Sequence, residues 1–78
     1  MEKQTLKLYR ELVDLKHQAA WYYRGNVGER WVAGVVVFWV NAAHGVISDM
    51  IYNRQYKDYE LAVAFAGYAR ENMARLQG

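Results

Sequence analysis

Asn41, His44, Ser48 and Asp49 bring an amide, an imidazole, a hydroxyl and a carboxylate into one short stretch of the chain. These residue types can serve acid–base or nucleophilic chemistry, and His44 and Ser48 stand at the i, i+4 spacing that lets two side chains meet on a helix. The surrounding sequence does not support such a site. No glycine-rich elbow presents Ser48, no set of oxyanion donors is visible, and a nucleophile on a regular helix is poorly exposed to substrate. A polar spot satisfied within a helix contact is the reading the pattern favours, so no catalytic residue is assigned and no enzymatic activity is expected.

Metal and cofactor chemistry find even less purchase. The only other histidine, His17, lies far away along the chain, and no paired-histidine or acidic-loop spacing occurs. With no cysteine present, thiolate ligands and disulfides are excluded, which fits a cytoplasmic protein. No metal and no cofactor are expected.

The elements that carry these residues explain more than the residues do. Trp31 to Val40 reads WVAGVVVFWV, without a polar side chain, and no charge at neutral pH follows before Asp49. In a chain of 78 residues, that segment needs cover on nearly every side. A domain this small lies near the lower limit for a self-sufficient core. Apolar residues make up 54% of the chain and aromatics 15%, including seven Tyr and three Trp. That is more amphipathic ring surface than such a domain readily buries, so some rings are expected at interfaces.

Periodicity predicts a single domain, residues 1–78, with helices over about 3–24, 27–53 and 58–76. In the first, Leu8, Leu12, Leu15, Ala19 and Tyr22 form one stripe, and Leu6, Tyr9, Val13, Ala20 and Tyr23 form a second beside it. This wide dry face is expected to meet two neighbours. Gly25 breaks the helix, and Asn26 with Glu29 has the form of an N-terminal cap. The second helix is favoured over a strand, although Val35 to Val40 has high β propensity, because the apolar run passes into Asn41–Ile47 without turn residues. After a polar connection at Asn53–Lys57, Asp58 is a plausible cap for the third helix. There Leu61, Phe65, Tyr68 and Leu76 line one side, with Ala62, Ala66, Ala69 and Met73 forming a small-residue groove beside them. Glu71 and Arg75 are spaced for an ion pair.

Projected at about 100° per residue, the second helix has two unlike sides. Val32, Val35, Val36, Trp39, Val40, Val46, Ile47, Met50 and Ile51 carry the bulk and are expected to build the core. Gly34, Phe38, Asn41, Gly45 and Ser48 form the other side, continued by Val27, Trp31 and Tyr52. Its glycines either permit close approach of a second copy or partner, or merely fit around bulky groups of the same chain. Self-association is assigned to Gly34, Phe38, Asn41, Gly45 and Ser48.

Three further readings bear on function. Ten Lys and Arg against eight Asp and Glu leave a net charge of +2, too even a balance for a protein that neutralises many phosphates. Arg24, Arg30, Arg54 and Lys57 gather near the two turns, but acidic residues dilute each cluster, so nucleic-acid binding is a minor alternative. Residues 31–47 approach the length of a membrane span with a Trp near one end, yet Asn41, His44 and two glycines interrupt them; an integral or peripheral membrane protein is the other alternative. The N-terminal MEKQTLKLYRELVD carries charges where a leader would need an apolar run. Finally, Tyr59–Ala69 resembles the second helix of a tetratricopeptide repeat, with Tyr, Ala, aromatic and Ala at similar offsets. The preceding helix lacks that family's Trp, Leu-Gly and Tyr, and no second repeat is present, so the resemblance implies close helix packing.

The sequence therefore predicts an all-α domain of three helices with a long hydrophobic central helix, assembled as a homodimeric bundle. By elimination, its function is that of a small protein-binding module, an inhibitor or adaptor such as a phage or mobile-element inhibitor of a host complex, of which an anti-CRISPR is an example. The contact surface is expected to use Trp21, Tyr22, Tyr52, Tyr56 and Tyr59.

Overall fold

Three stretches of helix-compatible sequence give three helices, α1 (Glu2–Gly25), α2 (Val27–Asn53) and α3 (Tyr59–Gln77). The computed structural model describes residues 2–25, 27–54 and 58–77, and the bounds fall within about a residue of the periodic pattern. The expected cap at Asn26 and most of the polar connection lie outside the described residues. Helix α2 is continuous through Val35–Val40, so the strand alternative does not apply.

Local chemistry accounts for the ends. Arg30 donates from Nε to the carbonyl of Tyr23 at 3.1 Å, satisfying a last-turn acceptor of α1, and its guanidinium lies 5.7 Å from the centre of the Tyr23 ring. Glu29 occupies the first turn of α2, where the helix dipole favours negative charge. The chain leaves α2 through Arg54 at φ 53°, the left-handed conformation that terminates many helices. At the start of α3 the Asp58 carbonyl accepts from the amides of Leu61 and Ala62 at 3.0 and 3.2 Å, as expected of a residue at the N-cap.

Contacts set the directions. Tyr9 meets His44 while Arg30 reaches Tyr23, so α1 and α2 run antiparallel. Glu11 pairs with Arg70 and Gln18 with Gln77, so α1 and α3 run parallel. Helix α2 packs along both others, whereas α1 and α3 share a narrower seam, in a body measuring 40 × 17 × 17 Å.

The core is one layer of side chains between the three helices, rich in alanine. Leu8, Leu12, Leu15 and Ala19 of α1 meet Ala33, Val36, Val40, Ala43, Ile47 and Met50 of α2 and Ala62, Ala66, Ala69 and Met73 of α3. The alanines let the backbones approach closely. Each buries little apolar area, so the core draws its stabilisation from a few larger groups, chiefly Leu12, Val36, Val40, Ile47 and Met50.

Two expectations hold with a refinement, and two require correction. Helix α1 meets two neighbours, α2 broadly and α3 narrowly, but its second apolar stripe stays largely open: Leu6, Tyr9, Ala20 and Tyr23 are exposed and Val13 is half-buried, and the contacts the stripe makes are with α2, Tyr9 with His44 and Tyr23 with Arg30. On α3 the expected small-residue groove of Ala62, Ala66, Ala69 and Met73 is the buried line, and Leu61 and Tyr68 beside it are exposed. Ile51, placed with the bulk of α2, is exposed as the helix outruns its neighbours. Glu71 and Arg75 do not form the expected ion pair; among the described residues the pair is Glu11 with Arg70, between helices.

Candidate interaction surfaces

Helix α2 buries one face and presents the opposite one to solvent. Trp31, Gly34, Phe38, Asn41, Gly45, Ser48 and Tyr52 all lie on the exposed side, with Trp31 at 72%, Phe38 at 62% and Tyr52 at 89% exposure. The strip is diametrically opposed to Val36, Val40, Ala43 and Ile47, as the helical repeat requires. A Cβ built on Gly34 or Gly45 would meet nothing within 4 Å. Accommodation of bulky groups from the same chain is therefore not the reason for either glycine.

Polar and aromatic groups flank the strip. On the α1 side, Lys16 donates from Nζ to Asn41 Oδ1 at 3.2 Å. On the α3 side, Trp39 contacts Phe38, Phe65 and Tyr68, with ring centroids 5.2, 5.5 and 4.8 Å away. The sequence reading assigned Trp39 to the core and missed this cluster. Its only trace there is the i, i+3 pair Phe65 and Tyr68, whose partner on α2 cannot be read from α3 alone.

The expected partner-binding residues separate into two groups. Trp21 and Tyr22 sit at the end where α1 meets α2, in edge-on contact at 5.2 Å. Trp21 is 72% exposed, beside a shallow depression formed by Lys16, His17, Ala20, Arg24 and Gly25. Tyr22 is half-buried against the core. Tyr52 and Tyr59 are at the other end of α2; Tyr52 is open and Tyr59 packs on the core. Tyr56 lies outside the described residues. The five do not form one surface, because α2 separates its two ends by roughly 40 Å at 1.5 Å per residue.

The polar constellation is likewise dispersed. Asn41 is engaged with Lys16, Ser48 and Asp49 are exposed, and His44 stacks on Tyr9 with centroids 4.9 Å apart. Burial lowers the His44 pKa below its ordinary value; a hydrogen bond to the Tyr9 backbone opposes that shift and the charge of Lys16 adds to it. The His44 Nε2 atom is buried without a hydrogen-bond partner, a setting that disfavours the charged ring. Among the described residues, no group of three His, Asp or Glu side chains could hold a metal ion. No protein family, curated protein or solved structure matches the chain.

Proposed function

We propose that the chain is a non-enzymatic protein-binding module that self-associates and engages a further protein through exposed aromatic side chains. The observation that carries this reading is the inversion of bulk: Trp21, Trp31, Phe38 and Tyr52 lie outside a core lined with alanine. Aromatic anchors of this kind dominate the energetics of protein interfaces. Within this reading, Trp21 and the basic side chains around it contact an acidic partner surface, while α2 meets a second copy. An inhibitor or adaptor, of which a mobile-element inhibitor of a host complex is one form, would act by covering a site on its target.

The test uses tagged protein to capture partners from a bacterial lysate across a salt series, with Trp21→Ala in parallel. The reading expects a defined protein retained by the parent chain and lost by the variant, with thermal unfolding unchanged. Equal loss of stability would make Trp21 a structural residue and sink the proposal.

A membrane reading has its own support, because Gly28–Asn53 is long and apolar enough to cross a bilayer, and only 28% of its apolar window is buried. Against it stands Lys16, whose ammonium is bonded to Asn41 near the middle of α2. A span by α2 in this fold would place that charge near the bilayer centre, at about 2.5–3.5 kcal/mol by insertion measures. Recovery in the membrane fraction after a high-salt wash would favour the span; recovery without detergent would favour the module.

A further inference from the structure

Gly34 and Gly45 are interior residues of a helix, where glycine costs about 1 kcal/mol relative to alanine. The protomer gives no reason for either, since added Cβ atoms would stand in open space. Between and beyond them, the same exposed strip carries Trp31, Phe38 and Tyr52. The spacing from Trp31 through Gly34, Phe38, Asn41, Gly45 and Ser48 to Tyr52 alternates three and four residues, the seam of a two-helix coil. This seam faces away from the core.

Its order of large and small groups is self-complementary in one orientation. About a point between residues 41 and 42, reversal places Trp31 opposite Tyr52 and Phe38 opposite Gly45, and brings Gly34 within one residue of Ser48 and Asn41 within one residue of its own copy, an axial offset of about 1.5 Å. An isologous contact requires such reciprocity, residue i meeting j while j meets i. A parallel pairing would set Phe38 against Phe38 and Gly45 against Gly45, alternating overcrowding with a void.

We propose that two copies pair antiparallel through the outer strip of α2, with the Phe38 ring of each copy seated over Gly45 of the other. The proposal rests on the self-association reading above and adds the orientation and register. Asn41 lies at the dyad. Its Oδ1 accepts from Lys16, which leaves its amide N–H groups to donate to Asn41 of the second copy. From Trp31 to Tyr52 the strip is about 32 Å long, and a helix pair of that length buries on the order of 1,000 Å² in total. That area lies at the lower bound for a specific association, so dissociation in the micromolar range is expected.

The chain has no native cysteine, which permits a direct test. Gly34→Cys and Ser48→Cys variants, distinguishable by mass, are mixed under mild oxidation at concentrations where light scattering reads the parent chain as a dimer. The expected product is the mixed disulfide, with few 34–34 or 48–48 links, because like positions lie about 21 Å apart along an antiparallel pair and a disulfide needs Cα atoms within about 7 Å. Predominant like-with-like links in a dimer would overturn the register and leave self-association standing. A monomer at about 100 μM, well above micromolar dissociation, would overturn both. A second arm exchanges bulk: Gly45→Phe, whose new side chain enters open space in the protomer, should keep its helicity and weaken the dimer by about tenfold or more. Adding Phe38→Gly should restore pairing, and failure to do so with the fold intact would overturn the seating of Phe38.

Discussion

Arg70 of α3 donates its Nε–H to Glu11 of α1, and Gln77 donates to Gln18 in the same register, each pair separated by 59 positions in the chain. These contacts close the bundle on the side where apolar packing is narrowest. The Arg70 hydrogen bond is the main reason that the Glu11 pKa lies below its ordinary value of 4.5; partial burial opposes the shift, and the charges of Arg70 and Lys7 assist it. Because the folded value is depressed, the stabilisation is complete above about pH 4.5 and is lost as pH falls through the folded value. Both side chains are substantially exposed, so Glu11→Gln should cost no more than about 1 kcal/mol at neutral pH. Urea titrations at pH 7 and pH 3 should show the two proteins converging in acid.

His44 gives a slope at higher pH. Its folded pKa is depressed by burial, so protonation favours the unfolded chain; its contribution is complete above about pH 6.5 and declines as pH falls toward its folded value. Tyr9 and Lys16 are the α1 groups that face it. His44→Phe should retain a ring against Tyr9 and flatten the stability profile between pH 7 and 5. A profile that remained as steep in the variant would assign the slope elsewhere.

The alanine seam should resist enlargement. Ala66→Leu inserts bulk where α3 packs on α2, and is expected to destabilise by about 1–3 kcal/mol. Ile47→Ala removes one of the largest buried groups, at an expected 2–5 kcal/mol. Circular dichroism melts should show both variants unfolding earlier than the parent, by roughly 4–8 °C per kcal/mol.

Trp21→Ala should leave stability within about 0.5 kcal/mol of the parent, because the indole is largely exposed. Chemical unfolding followed by circular dichroism measures this without relying on the fluorescence of the deleted ring.

Arg54 adopts a left-handed conformation that glycine adopts without steric cost. Arg54→Gly is therefore expected to raise stability by about 1 kcal/mol, read as a higher denaturant midpoint with an unchanged slope.

Much of the architecture was legible because its signals are local. Gly25 marks the end of α1, Asp58 precedes α3, and uninterrupted helical periodicity defines α2. The unread portion depends on neighbours. Two apolar stripes on α1 look alike in sequence, but only the Leu8–Leu12–Leu15–Ala19 stripe is buried, whereas the other touches α2 at its edge through Tyr9 and Tyr23. Arg70 could pair locally or across the bundle, and the parallel register of α1 and α3 brings it to Glu11. Likewise, α2 has two aromatic-bearing sides, and Trp39 stacks on α3 while Phe38 remains exposed. Helical periodicity groups residues by face without specifying what each face meets.

The unequal seams also order the motions of the chain. With α1 joined broadly to α2 and only narrowly to α3, the least costly large opening is for α1 to swing away while the α2–α3 hairpin stays closed. Amide hydrogens of α1 should then exchange together and sooner than those of α2 around Val40–Ile47. Each excursion would briefly uncover Val36, Val40 and Ile47, giving proteases and chaperones a view of the interior long before the whole molecule unfolds.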